Sequence, residues 1–162
     1  MLDKHATHYR DHLINMQQID VTVPDDVIES VKQVLNATTD CPEPINISKA
    51  LFRMKKGEYD DNVMFIKEKI TNVESYPRNL PVEALVKCFQ IVFQASRIAI
   101  PNTSQLNAHF ITHKILDMMH RDDLLKHFPF CKSIEKQKCL EAKWSRILKV
   151  CQDDLQKCIE QS

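Results

Sequence analysis

Apolar residues recur at intervals of three and four along most of the chain, which is the period of helices with one buried face. The predicted helices run from Asp3 to Gln18, Pro24 to Thr38, Asn46 to Gly57, Tyr59 to Thr71, Pro81 to Pro101 and onward from Ser104. Two more follow, one on either side of Pro129. The helix after Pro81 is the most apolar, so we expect it at the centre of the fold.

Several helix ends carry residues that suit such positions. Asn46 and Ser104 are predicted to cap the third and sixth helices, because a side-chain oxygen can accept a hydrogen bond from a first-turn backbone N–H. Gly57 is predicted to end the third helix in the left-handed conformation that glycine adopts without steric cost. Asn72 is predicted to end the fourth helix.

The chain makes a corner at Phe128-Pro129, because proline donates no backbone hydrogen bond and disfavours a helical residue before it. Ser133 is predicted to cap the last helix, with Glu135 near the positive end of the helix dipole. One stripe of this helix is apolar and suited to burial. Its residues are Leu140, Trp144, Ile147, Leu148, Cys151 and Leu155.

Four basic positions fall on one flank of this stripe when each residue advances the helix by about 100°. They are Lys132, Lys136, Lys143 and Arg146. From Lys126 to Lys149 there are seven Lys or Arg against two acidic residues, whereas the whole chain has 22 of each sign. The flank is either a surface that contacts an anionic partner or a solvated helix face, and for any single residue the solvated face is the commoner case.

The composition favours an all-α fold. There is one glycine in 162 residues, and neither an Asn-Gly nor an Asp-Gly pair occurs, so tight hairpin turns are disfavoured. The length predicts a single compact domain over residues 1–162, with about seven to eight helices. Neither a signal peptide nor a membrane span is recognisable, which predicts a soluble intracellular protein.

Cysteine and histidine patterns give little support for a metal site. The six cysteines form no Cys-x-x-Cys pair, and several fall on apolar helix faces, so we expect reduced core residues. His5, His8 and His12 share a face of the first helix, where they are either metal ligands or a polar helix flank. The polar flank is favoured, because no carboxylate or cysteine accompanies them by motif.

No catalytic motif is present in the sequence. It contains no glycine-rich phosphate loop, no His-Glu-x-x-His and no nucleophile elbow. His120, His127 and Cys131 lie around the Phe128-Pro129 corner and are the remaining candidates for an enzyme. Histidines near helix ends usually bond backbone or solvent, so we expect a binding protein rather than an enzyme.

Five segments, in order, resemble the viral late transcription factor 3 family, the poxvirus-type late transcription factors of large nucleocytoplasmic DNA viruses. The first four are His8-Tyr9-Arg10 with Leu13 and Gln17; Pro24, Asp25 and Val27; Tyr59, Val63 and Ile66; and Leu106, Phe110, Ile111 and His113-Lys114. The fifth and strongest is Leu124-Leu125, Phe128-Pro129, Lys132-Ser133, Lys136 and Trp144, which fits the family pattern without a gap. Together these segments extend over most of the chain.

The resemblance implies a factor for late-gene transcription initiation that acts by binding. Its partners would be the viral RNA polymerase, other late transcription factors and promoter DNA, with no membrane, in the viral factory of the host cytoplasm or in the virion. Lys132, Lys136, Lys143 and Arg146 would contact DNA phosphates or an acidic polymerase surface, and the resemblance adds His113 and Lys114. A helical protein-interaction module without DNA affinity is the alternative.

Two departures from the family pattern limit what the resemblance implies. Thr103, Ser104 and Gln105 replace basic residues and an asparagine, which argues against a phosphate contact at that loop. The family commonly has a four-cysteine zinc ribbon ahead of this region, and Met1 comes after the place of that ribbon. We therefore expect no cofactor in residues 1–162, and zinc only if a ribbon precedes Met1. That layout, shared with general initiation factors, suggests a cyclin-like arrangement of helices by analogy alone.

Overall fold

The computed structural model describes residues 3–101 and 106–162. Within these ranges the chain forms eight α-helices and one 3₁₀ helix and no strand, which confirms the all-α prediction. The helices are α1 (Lys4–Met16), α2 (Asp25–Thr38), α3 (Pro44–Arg53), the 3₁₀ helix (Gly57–Asn62), α4 (Val63–Thr71), α5 (Val82–Ala99), α6 (Ala108–Met118), α7 (Asp122–Leu125) and α8 (Ile134–Glu160). None of the helices in these ranges is both long enough and apolar enough to span a membrane.

The packing of the chain groups its residues into two compact units. One unit comprises residues 1–13 and 79–162, and the other comprises residues 14–78. We call them the terminal unit and the inner unit. A single domain over residues 1–162 stays a prediction, because this grouping does not decide whether either unit folds alone.

The inner unit has its own apolar core between α2, α3 and α4. The buried face of α2 is the one that its sequence period predicts, because Val27, Val31 and Leu35 are all buried. The remaining core residues come from the preceding loop and from the next two helices: Val23, Ile47, Ala50, Leu51 and Ile66. Asn72 ends α4 in the left-handed conformation with φ 57°, as predicted.

Helix α5 is the centre of the terminal unit. Leu85, Val86, Cys88 and Val92 on this helix are completely buried, and α8 packs along it. The stripe predicted for α8 is at its buried face, with Trp144, Ile147, Cys151 and Leu155 buried and Leu140 and Leu148 partly buried. The Trp144 ring meets the ring of Phe110 on α6 edge-on, at 6.2 Å between centroids. The corner before α8 therefore places the apolar face of α8 against α5 and α6.

Both predicted ends of the third helix differ in the structure. Helix α3 begins at Pro44 with Glu43 at its N-cap, and the predicted cap, Asn46, lies in the first turn and donates its side-chain N–H to the Cys41 carbonyl. Lys55, not Gly57, takes the left-handed conformation after α3, with φ 58°. The Lys56 N–H then bonds to the Leu51 carbonyl at 2.8 Å, which closes that helix end.

The first and sixth helices are shorter than predicted. Helix α1 spans Lys4–Met16 rather than Asp3 to Gln18, and Asp3 accepts a hydrogen bond from the Ala6 backbone N–H at 2.8 Å. Helix α6 begins at Ala108, and its cap is Asn107, whose side chain accepts from the Phe110 N–H. The predicted cap Ser104, with Thr103 and Gln105, lies outside the described residues.

Candidate functional site

The corner that leads into α8 is fixed by bonds to neighbouring helices. Phe128 is completely buried, and its backbone carbonyl lies 2.7 Å from Nδ1 of His113 on α6. Because a carbonyl can only accept, Nδ1 of His113 is the protonated nitrogen. Five residues later the Ser133 hydroxyl oxygen accepts from the Lys136 N–H at 3.3 Å, which confirms the predicted cap. These two bonds determine where α8 starts.

The basic flank, defined as Lys132, Lys136, Lys143 and Arg146, lies on and just before α8. Lys136 and Lys143 are seven residues apart, so they point in nearly the same direction from positions two turns apart. Lys132 precedes the cap Ser133, so helical geometry does not govern its direction. Lys132, Lys136 and Arg146 are exposed and Lys143 is half-buried, while Trp144 beside them is buried. The buried stripe is therefore present, whereas the assignment of the four cations to one binding surface stays a prediction.

Arg146 is exposed as a residue and also makes a hydrogen bond within the protein. Its Nη2 donates to the backbone carbonyl of Ala99, the last residue of α5, at 3.1 Å. The final carbonyls of a helix have no partner within it, and a cation there also suits the negative end of the dipole. Lys132 and Lys136, by contrast, make no ion pair with any residue in the described ranges. These two lysines are the members of the flank most available to an external anion.

His113 and Lys114 make internal contacts. The His113 ring packs against the Phe130 ring at 3.8 Å between centroids. The Lys114 ammonium forms an ion pair with Glu141 on α8 at 2.7 Å, and it also lies 5.5 Å from the centroid of the Phe110 ring. His113 therefore connects α6 to the corner, and Lys114 connects α6 to α8. A role for either in binding a partner stays a prediction.

The sequence-derived candidates for a metal site are not grouped as ligands in the described residues, and a catalytic role for His120, His127 and Cys131 stays a prediction. Among the described residues no three His, Cys, Asp or Glu side chains are placed to hold a metal ion. His5, His8 and His12 are exposed along α1, and Cys131 and His120 are exposed as well. Of the six cysteines, all of them reduced, Cys88 and Cys151 are buried. The remaining four are at least partly exposed, so the expected core role holds for only some of the cysteines.

The sequence did not predict a pocket of about 650 Å³ in the terminal unit, between α1, α5 and α6. Tyr9 is in its wall and donates to or accepts from the Thr112 hydroxyl at 2.6 Å. Burial strongly raises the pKa of Tyr9, so the phenol stays protonated. The spacing of Phe89, Phe93 and Arg97 at four-residue intervals indicates a shared face of α5.

Two histidines meet beside this pocket. The Nε2 atoms of His12 on α1 and His109 on α6 are 3.3 Å apart. Burial is the main cause of the lowered pKa of His12, and the charges of His109 and His8 lower it further. Burial also lowers the pKa of His109. Two neutral imidazoles can share one N–H between their facing nitrogens. No periodic signal could have found this pair, because its members are on different helices.

Comparison with known proteins gives one family match. The sequence model described as poxvirus late transcription factor VLTF3 like matches residues 1–154. The match includes the corner, most of α8 and all four residues of the basic flank. No curated protein and no solved structure matches the chain. The cyclin-like arrangement therefore stays a prediction.

Proposed function

The chain belongs to the poxvirus late transcription factor VLTF3-like family, and from this premise we propose that it is a late-gene transcription initiation factor of a large DNA virus. It acts by binding the viral RNA polymerase, promoter DNA or both, together with other late transcription factors, and it catalyses no reaction. Its place of action is the viral factory in the host cytoplasm. The observation that carries this proposal is the family match over residues 1–154.

The basic flank is the surface that we assign to partner binding. Lys132 and Lys136 are exposed beside the N-terminus of a 27-residue helix, where the helix dipole adds positive potential. Glu135 is the acidic residue in that first turn and offsets part of this potential. Anchoring of the corner by His113 and of Arg146 by the α5 carbonyl supports a fixed arrangement of cations. A fixed arrangement suits contacts to successive phosphates or to carboxylates.

Binding of a short late-promoter duplex at low salt tests the DNA part of the proposal. We expect binding that weakens with salt, because released counterions dominate phosphate contacts. Replacing all four flank residues by Glu should abolish binding. Replacing them singly by Gln should lower the magnitude of the salt slope by about one unit for each residue that contacts a phosphate. Fluorescence anisotropy over a salt series measures both.

A matched control separates a local surface from overall charge. Lys32, Lys49, Arg53 and Lys56 are exposed basic residues of the inner unit, and their replacement by Glu changes the net charge equally. This control variant should retain most of the binding. Equal loss in both variants would mean that the flank is not the contact surface. Circular dichroism and thermal melting show whether each variant is folded, which matters because the Arg146 change also removes the bond to Ala99.

The alternative function, a helical interaction module without DNA affinity, is distinguished by the same materials. If the duplex does not bind at low salt, the flank would serve a protein contact, and purified viral RNA polymerase should retain the native chain but not the variant with four Glu. Failure of both the duplex and the polymerase to bind would reject the proposed use of the basic flank.

A further inference from the structure

The pocket in the terminal unit has an apolar wall that is held in place by its own contacts. The Tyr9 and Phe89 rings stack at 4.1 Å between centroids, and Phe89 stacks on Phe93 at 6.0 Å. Ile111 and Ile147 add buried aliphatic surface. At about 650 Å³ the pocket is within the range of roughly 300–1,000 Å³ that is typical of ligand sites. It can accept one or two large side chains or a small molecule of similar size.

The rim of the pocket carries positive charge. Arg97 is exposed, and its guanidinium lies 4.7 Å from the centroid of the Phe93 ring, where it makes no ion pair with any described residue. His5 approaches the same ring at 4.6 Å. The described residues that line the pocket include no Asp or Glu. Just beyond His5 and His8 an adjoining groove adds one residue of each sign, Lys4 and Asp11.

An apolar interior with a cationic rim selects a particular kind of occupant. A phosphodiester backbone offers nothing to fill an aromatic-walled cavity, whereas an aromatic or leucine side chain fills it and is a frequent anchor in protein interfaces. Acidic residues beside that anchor would pair with Arg97 and avoid an uncompensated cation. We propose that this pocket binds an apolar side chain, Phe, Trp or Leu, from an acidic segment of a partner protein. The site is separate from the basic flank and does not depend on it.

The test is selection of a random 12-residue peptide library, displayed on phage, against the full chain. Enriched peptides should combine an aromatic residue or leucine with flanking Asp or Glu. A fluorescein-labelled peptide with the enriched sequence should bind at least ten-fold more weakly to the Arg97→Glu variant. The matched control is Lys87→Glu, an exposed basic residue on the same helix that does not line the pocket, which should change affinity less than two-fold.

A charge exchange and a pocket variant complete the test. Replacing the acidic residues of the peptide by Lys should restore binding to Arg97→Glu and weaken binding to the native chain. Phe93→Ala should weaken the original peptide by at least ten-fold. The proposal is overturned if no peptide is enriched, if enriched peptides lack acidic residues or an apolar anchor, or if their binding is insensitive to both Arg97→Glu and Phe93→Ala. A circular dichroism spectrum that differs from the native one would disqualify Phe93→Ala and leave the charge exchange to decide.

Discussion

Lys114 and Glu141 form an ion pair between α6 and α8, with the lysine Nζ 2.7 Å from the glutamate Oε1. The lysine side chain is 17% exposed, and the glutamate side chain is 40% exposed. Gln137, one turn earlier on α8, donates to the same carboxylate at 3.0 Å. The charge of Lys114 is therefore balanced within the protein, whereas Lys132 and Lys136 face solvent.

Removing either partner of this pair should have a modest effect on stability. We expect Lys114→Met and Glu141→Gln each to lower the free energy of unfolding by about 1 kcal/mol, because solvent screens a partly exposed ion pair. The double variant should lose less than the sum of the two single variants. Urea denaturation of all three measures this, with the exposed Lys138→Met as the control on α8.

The same variants test the role of Lys114 in binding. If Lys114→Met weakens promoter binding as much as Lys136→Met does while Glu141→Gln has no effect, then Lys114 contacts the partner directly. If neither α6–α8 variant alters binding, the ion pair is structural.

Trp144 should be among the most costly residues to truncate in the terminal unit. It is 5% exposed and lies edge-on to Phe110, so Trp144→Ala leaves a cavity between α6 and α8. We expect a loss of about 3–5 kcal/mol in the free energy of unfolding, the usual range for a large aromatic residue in a core. Urea denaturation again provides the measurement.

Ile134→Ala is the matched control for Trp144→Ala. Ile134 is the first residue of the same helix and is 72% exposed, so its truncation should stay within about 0.5 kcal/mol. Similar losses for the two variants would contradict the burial of the stripe.

Cys88 and Cys158 should form a disulfide bond under oxidising conditions. Their Sγ atoms are 3.5 Å apart, so they must approach by about 1.5 Å to bond. Burial, and then the contact with Cys158, raises the pKa of the Cys88 thiol. Because the thiolate is the reactive form, oxidation by diamide should be slow at neutral pH and faster as the pH increases.

Peptide mapping by mass spectrometry after alkylation of free thiols detects this bond. Cys158→Ser should abolish it, and Cys151→Ser should not, although Cys151 is also buried on α8. A bond between Cys151 and Cys88 in the native chain would contradict the observed register of α8 on α5.

His12 and His109 should make the folded protein less stable in mild acid. The pKa of each is lower in the folded state than its ordinary value of 6.5. Between the lowered pKa and 6.5 the unfolded chain binds more protons, so the free energy of unfolding decreases as the pH falls through this interval. Above it, where both rings are neutral, the stabilisation is fully present.

A nuclear magnetic resonance titration of the imidazole rings measures these pKa values directly. In the His109→Gln variant the charge of His109 is absent, so the pKa of His12 should move back toward 6.5, although burial continues to lower it. A native His12 that titrates at 6.5 or above would contradict the observed approach of the two rings.

Local signals in the sequence were reliable where the helix period and a single side chain decide the outcome. Ser133 caps α8 as predicted, because Ser is among the best N-cap residues and Pro129 disfavours helical structure just before it. The end of α3 was predicted at the wrong residue. Lys55 adopts the left-handed conformation there, because the hydrogen bond from the Lys56 N–H to the Leu51 carbonyl closes the helix before Gly57 is reached. A lysine in this conformation has a steric cost that glycine would avoid.

The sequence alone determined the all-α fold and the buried stripe of α8, because the period of a helix is a local property of the chain. Only the tertiary structure decided which cations already have partners, since Arg146 reaches Ala99 across 47 positions. It also created the pocket, where Tyr9 meets Thr112 across 103 positions. Such contacts depend on how helices pack against one another, and a pattern that repeats every three or four residues carries no information about that packing.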